Sequence, residues 1–188
     1  MRRSVQFLST SRVVTTLGKS LTGSASGGKV EGLEAIYLPP LLSAHKILSR
    51  TEKGDIVAIN HPNSALGRAI QDLSNLFQVT VEVVESGARS RLKGVKVAVT
   101  SRSGTDSVNL MRTLGPKGTL IVCHDVDEDL SHSCAVNIPV ASAIFQDVAV
   151  EGFNWLTWSS TRREEVQACL EALRPSLRDL KLVNLKEM

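Results

Sequence analysis

The sequence predicts an α/β fold: a single domain built on a small, doubly wound parallel sheet. Three observations predict it. Short stretches rich in β-branched and aliphatic residues, Ile56–Ile59 (IVAI), Val95–Thr100 (VKVAVT) and residues 119–123 (TLIVC), are largely apolar, as strands covered on both faces of a parallel sheet are. Segments with apolar residues at helical spacing alternate with them, and parallel strands need such crossovers. The 188 residues are 42% hydrophobic but only 4% aromatic, so the core is to be made of Val, Leu, Ile and Ala, and the length suits one such core.

The elements follow in order. Residues 1–30 carry Arg2, Arg3, Arg12, Lys19 and Lys29, many Ser and Thr, and no acid before Glu31. Wound as a helix, Val5, Leu8, Val13 and Leu17 fall on one side. A basic, hydroxyl-rich, acid-free and weakly amphipathic start is the pattern of a mitochondrial transit peptide; a basic arm that binds RNA or another subunit is the alternative. Residues 22–28 (TGSASGG) read as a flexible linker, so the folded domain is expected over 31–188. Pro39-Pro40 is expected to end an extended stretch, with a short helix over 41–48. Gly54-Asp55 is a turn, Ile56–Ile59 the first strand and Asn60 to Ser64 a loop. A helix over Ala65–Phe77 sets Leu66, Ala69, Ile70, Leu73, Leu76 and Phe77 at helical spacing. Strands follow over 79–84 and 95–100, then a helix over 106–114 closed by the turn Gly115-Pro116-Lys117-Gly118. A strand over 119–123, a short helix over 141–145, a strand over 148–153 and a helix over 161–174, broken by Pro175, complete the chain.

The composition excludes several classes. The formal charge of +3 is too mild to argue for nucleic acid by itself. No apolar run approaches the roughly 18 residues of a membrane span. Cys123, Cys134 and Cys169 are odd in number and do not have the spacing of a disulfide framework, which fits a reducing compartment.

The stretch GDIVAINHPNSALGRA, from Gly54 to Ala69, carries the strongest chemical signal. A buried strand runs into a tight loop and then a helix amino terminus, which turns backbone N–H groups and a positive dipole end toward an anion. Ser64 and Gly67 are expected where a pyrophosphate would lie, and small residues there allow close backbone approach. The full G-x-G-x-x-G is absent, and Pro62 removes one N–H. An ordinary capped β-to-α turn is the alternative reading.

Asn60-His61-Pro62-Asn63-Ser64-Ala65-Leu66-Gly67 resembles the phosphate-binding loop of the medium-chain reductase superfamily, and in particular that of the mitochondrial trans-2-enoyl-thioester reductases. Residues 41–48 (LLSAHKIL), 114–122 (LGPKGTLIV) and 144–158 (IFQDVAVEGFNWLTW) are similar, in order, to a helix, a turn and strand, and a strand-and-tryptophan motif of that family. The resemblance spans about residues 38–173. It implies a truncated Rossmann-like nucleotide-binding domain in which Asn63, Ser64, Ala65, Leu66 and Gly67 form a degenerate cofactor-binding loop; no cofactor is expected, and NADP(H) or NAD(H) is the class such a loop would take if it bound one.

The departures from the family shape the expected function. The amino-terminal catalytic domain, with its acyl pocket and tyrosine, has no counterpart ahead of residue 31. Glu85 stands where the family places a basic residue for the 2′-phosphate. About ten residues join Glu85 to Val95 where the family has a further helix and strand. Thr100-Ser101-Arg102-Ser103-Gly104 and Cys123-His124-Asp125 replace glycine-bearing turns, and His45 replaces a tyrosine. The resulting expectation is a catalytically inactive, reductase-like structural or accessory subunit of a large mitochondrial-matrix assembly, a ribosome or a respiratory complex. The alternatives are an NAD(P)(H)-binding protein or an NADPH-dependent enoyl-thioester reductase acting with a full-length partner.

Other groupings are weighed against plainer readings. Cys123, His124, His132 and Cys134 lack a zinc-knuckle spacing, and no metal site is expected. Asp125, Asp127, Glu128 and Asp129 read as a solvated loop. Arg89, Arg91, Lys93 and Lys96 form a basic cluster that suits RNA phosphates, but no aromatic residue is interleaved. Val150, Gly152, Phe153, Trp155 and Trp158 are interface candidates on the last strand, which in the related reductases joins two subunits; capping of the core is the alternative for the two indoles.

Overall fold

The computed structural model describes residues 32–85, 90–101, 105–123, 138, 141, 144 and 146–179. The elements run α1 (Gly32–Leu48), β1 (Ile56–Ile59), α2 (Ala65–Phe77), β2 (Thr80–Val83), β3 (Val95–Thr100), α3 (Thr105–Met111), β4 (Leu114–Cys123), β5 (Ala149–Phe153), α4 (Trp155–Thr161) and α5 (Arg163–Asp179). The strands form one sheet in the order β2-β1-β3-β4-β5, and every pairing is parallel. The α/β, doubly wound, single-domain expectation is the fold observed.

Each central strand feeds two cores, because successive side chains leave a strand on opposite faces. Val57 and Ile59, Val97 and Val99, and Ile121 and Cys123 join one cluster with Leu42 and Ile47 of α1, Ile70 and Leu73 of α2, and Leu170 and Leu173 of α5. Ala58, Ala98 and Leu120 point the other way, into a smaller cluster with Leu110, Met111 and Val148. This two-sided burial is why these strands are so apolar.

Helix α2 buries Leu66, Ala69, Ile70 and Leu73, positions one helical face apart. Leu76, expected on that face, is 49% exposed. The end of the helix is closed by Gln78 in the left-handed conformation, whose N–H reaches back to the Asn75 and Ser74 carbonyls.

Several expectations are corrected. Pro39 and Pro40 lie inside α1 instead of ending an extended stretch. Proline deletes hydrogen bonds to the preceding turn, but the residues after it, Leu41, Leu42, Ala44, Ile47 and Leu48, are all buried, so tertiary packing holds the helix there. Pro175 likewise lies inside α5; the carbonyl it orphans belongs to Glu171, an exposed residue that water can serve. The Gly115–Gly118 turn is part of β4. Val95 and Val97 pair with Leu114 and Thr119, so the intervening residues bulge from the ladder. A Cβ on Gly115 would meet the Gly94 Cα at 3.0 Å. Helix α4 begins one residue after β5, ahead of the helix expected from 161. The helix expected over 141–145 falls largely outside the described residues. No described helix is long and apolar enough to cross a membrane.

Candidate functional site

The sheet order creates one topological switch point. The chain passes from β1 to β2 on one side and then returns across β1 to β3, so the connections that leave the carboxyl ends of β1 and β3 run in opposite directions along the sheet. In open parallel sheets, ligands bind in the crevice at such a point. Asn60 and Thr100 occupy it, each next to or at the end of its strand. Both are buried, at 8% and 1% exposure. Asn60 Nδ2 donates to Thr100 Oγ1 at 2.9 Å. Asn60 Oδ1 is buried without a hydrogen-bond partner among the described residues, a state that costs free energy unless something supplies a donor.

From Asn60 the chain turns through His61, Pro62 and exposed Asn63 to Ser64, the N-cap of α2, whose backbone is extended (φ −69°, ψ 159°). Ser64 Oγ accepts from the Gly67 N–H at 3.0 Å and donates to the His61 carbonyl at 3.1 Å. The hydroxyl is therefore committed to the turn, as the capped-turn reading has it. Gly67 serves the same turn. A Cβ there would sit 1.9 Å from the His61 carbonyl oxygen, so this glycine lets helix and loop pack together. Gln71 Nε2 fastens the loop further, to the carbonyls of Pro62 at 2.8 Å and Gly67 at 3.1 Å. What remains for an anion is the start of α2, where the Ala65 and Leu66 N–H groups have no intrahelical acceptor.

Strand β2 leaves the sheet beside this loop. The Val84 N–H donates to the Ile59 carbonyl at 2.8 Å, which sets exposed Glu85 one residue past that bond, as Asn60 is one past Ile59. Sequence reasoning placed Glu85 here but missed Asn60 and Thr100 as a pair. A polar residue at the end of each of two buried apolar runs was the available signal.

The other candidates lie elsewhere. Trp155 and Trp158 are buried, at 6% and 8% exposure, with ring centres 5.7 Å apart, and they pack in the larger core rather than on a free surface. Trp158 Nε1 donates to Glu165 Oε2 at 3.1 Å, and Lys46 Nζ donates to the same oxygen at 2.8 Å. The Lys46 bond, followed by the Trp158 bond, holds the Glu165 carboxyl below the usual range. Gly152 is exposed, and Val150 and Phe153 are half-buried, on the edge strand. Arg91 and Lys93 are exposed ahead of the amino end of β3, at the opposite end of the sheet from the crevice; Lys93 Nζ donates to the Arg112 carbonyl at 2.7 Å. Arg89, His124, His132, Cys134 and the acidic run lie outside the described residues. Among the described residues, no group of three or more His, Cys, Asp or Glu is placed to hold a metal ion.

No protein-family model matches the sequence, and no curated protein does. Solved structures match the fold. A mutant enoyl thioester reductase from Candida tropicalis superposes with a TM-score of 0.66 at 17% identity, over 83% of this chain and 53% of its own. The quinone oxidoreductase from Thermus thermophilus gives 0.59 at 20% identity, over 76% and 53%. The nucleotide-binding subdomain of the enoylreductase domain of PpsC from Mycobacterium tuberculosis gives 0.60 at 15% identity, over 76% of this chain and 94% of its own. The chain thus spans about half the length of the whole reductases and nearly all of the isolated subdomain. The likeness is one of fold: the parallel α/β sheet of this chain superposes on part of those reductases and on that subdomain.

Proposed function

We propose that this chain holds a nicotinamide dinucleotide at the crevice between β1 and β3 and serves as a non-catalytic, reductase-like accessory subunit of a larger mitochondrial assembly. The observation that carries the first half is the convergence, at the switch point, of an open helix start with the buried, unpartnered Asn60 Oδ1. The helix start attracts an anion. The amide oxygen accepts only from an O–H or N–H donor. A phosphorylated ligand rich in hydroxyl and amide groups offers both, and the fold's relatives include structures named as complexes with NADP and NADPH. The Ala65 and Leu66 N–H groups would take the pyrophosphate and Asn60 a ligand donor. Such a cofactor supplies hydride-transfer chemistry when bound; the residues of this chain would bind and orient it.

The non-catalytic half is supported by sequence. Ser103, His124 and Asp125 put larger polar residues where the resemblance implies glycines for close backbone approach. Membership of an assembly is supported by β2 and β5, the outer strands of the sheet among the described residues, since outer strands need a cover or a partner. Residues 1–30 support a mitochondrial destination.

Calorimetry of the purified protein with NADH and NADPH tests the binding reading. Saturable heat near one site per chain is expected, and no heat with either cofactor would end it. An NADPH-oxidation assay with a crotonyl thioester tests the rest; turnover would favour the enoyl-thioester reductase alternative. Native-size fractionation of mitochondria should place the chain far above its own 20.3 kDa.

A further inference from the structure

We propose that the amino ends of β3 and β4 form a surface that holds the phosphate backbone of an RNA helix, at the end of the sheet opposite the crevice. The inference deepens the assembly reading above by naming the chemistry of a neighbour, and it does not depend on the dinucleotide. Residues 91–96 (RLKGVK) and 112–118 (RTLGPKG) carry five cations, Arg91, Lys93, Lys96, Arg112 and Lys117, and no acid. The fold lays these two segments side by side. Val95 pairs with Leu114, and the Val95 N–H donates to the Thr113 carbonyl at 3.1 Å. Gly94 and Gly115 allow the approach: a Cβ on Gly115 would meet the Gly94 Cα at 3.0 Å. Lys117, in the bulge of β4, takes the left-handed conformation at φ 59° and is exposed. Arg91, Lys93 and Arg112 are exposed as well, and Lys96 is half-buried.

The charges in these segments are unpaired. Elsewhere, Lys46, Arg50, Arg162 and Arg174 each face a glutamate, but among the described residues none of the five has an acid at ion-pair distance. Lys93 Nζ donates to the Arg112 carbonyl at 2.7 Å, and an ammonium has further donors to give. The turns before β1 and β5 bring acids to the same end, Glu52 and Asp55 beside Lys53, and Asp147. They flank the two basic segments without interrupting them. A row of like charges repels itself, and a polyanion that sheds its counterions relieves it. The two segments contain no aromatic residue, so unpaired bases find no ring to stack on, which favours contact with the phosphates of a helix. None of the exposed large hydrophobic residues lies in them either. Anionic membrane surfaces are held by cations joined to inserted apolar side chains, and protein interfaces bury an apolar centre, so both fit this surface less well.

The test is fluorescence anisotropy of the full chain with a labelled, fully paired RNA hairpin over a range of salt concentrations, repeated for Arg91→Gln, Arg112→Gln, Lys117→Gln and the three combined. Affinity should fall steeply with salt, and each substitution should make the logarithmic salt slope shallower by about one. The triple variant should bind at least about tenfold more weakly at low salt, with its melting temperature unchanged because all three side chains are exposed. Arg163→Gln, which removes an exposed cation on α5, should leave slope and affinity alone. Full binding by the triple variant overturns the assignment and gives the contact to another basic segment, residues 1–30 first. No binding of the hairpin overturns it as well. So does tighter binding to a DNA duplex or to vesicles of anionic phospholipid, or displacement of the hairpin by polyglutamate at equal charge, which would give the surface to DNA, a membrane or an acidic protein. A chain that binds no RNA yet fractionates in a large complex loses this assignment while the assembly reading stands.

Discussion

Two strand-to-helix turns in this molecule use the same local device to opposite ends. After β1, five residues, Asn60 to Ser64, precede a helix capped by a serine hydroxyl. After β5, Asn154 alone separates strand from helix, and its Oδ1 accepts from the Thr157 N–H at 3.0 Å. Both caps satisfy a backbone donor that the helix cannot. The short turn drops Trp155 and Trp158 straight into the core, and the second indole is locked by Glu165, which also holds Lys46. The long turn instead ends in small residues, Ser64, Ala65 and Gly67, and leaves a buried amide oxygen without a donor among the described residues. A turn filled by its own side chains supports the fold; a turn fastened by polar bonds around an open helix start can receive a ligand.

The contrast can be broken at either end. Trp158→Ala should have the largest effect on stability, a loss of about 3–5 kcal/mol by denaturant unfolding. It removes contacts with Trp155 and Phe153 as well as the Glu165 bond, yet at temperatures where it stays folded NADH affinity should be nearly unchanged. Gly67→Ala should cost about 1–3 kcal/mol of overpacking, because the new methyl collides with the His61 carbonyl. It should also abolish cofactor binding, since the loop must move. Ser64→Ala removes the cap and should cost about 1 kcal/mol, with a smaller loss of NADH affinity as the helix start frays.

The smallest effect is a pH dependence from α1. Burial, reinforced by Lys46, depresses the His45 pKa below the ordinary 6.5. The unfolded chain therefore takes up a proton first as pH falls. Stability from this residue is complete above 6.5 and is lost as pH drops from there toward the depressed folded value. His45→Gln should flatten that slope in urea midpoints measured above and below 6.5. An unchanged slope would show that His45 is protonated equally in both states.

Much of the fold is legible in the sequence because the strong signals are local and agree with one another. Ile56–Ile59, Val95–Thr100 and Ala65–Phe77 are bounded in the structure as the pattern predicts, since two-sided burial and helical spacing are written in consecutive residues. The misreadings fall where a local rule meets packing. Pro39, Pro40 and Pro175 read as breaks, but buried neighbours or a solvated carbonyl tolerate them inside helices. The Gly115–Gly118 segment has turn composition and is used as a bulge within β4. Helix α4 carries its own cap signal in Asn154, which the neighbouring tryptophans mask by suggesting a surface. At the site, the loop and its capped turn are visible in sequence, but the close approach of Gly67 to the His61 carbonyl is not. Nor is the Asn60–Thr100 pair, which joins residues 40 positions apart.

Amide chemical shifts recorded during titration of the labelled full chain with NADH test the central claim most directly. The account predicts that the largest changes fall on Asn60, Ala65, Leu66, Thr100 and Glu85, with the Asn154–Trp158 turn unmoved. Changes centred on the tryptophan turn, or none at the start of α2, would contradict it.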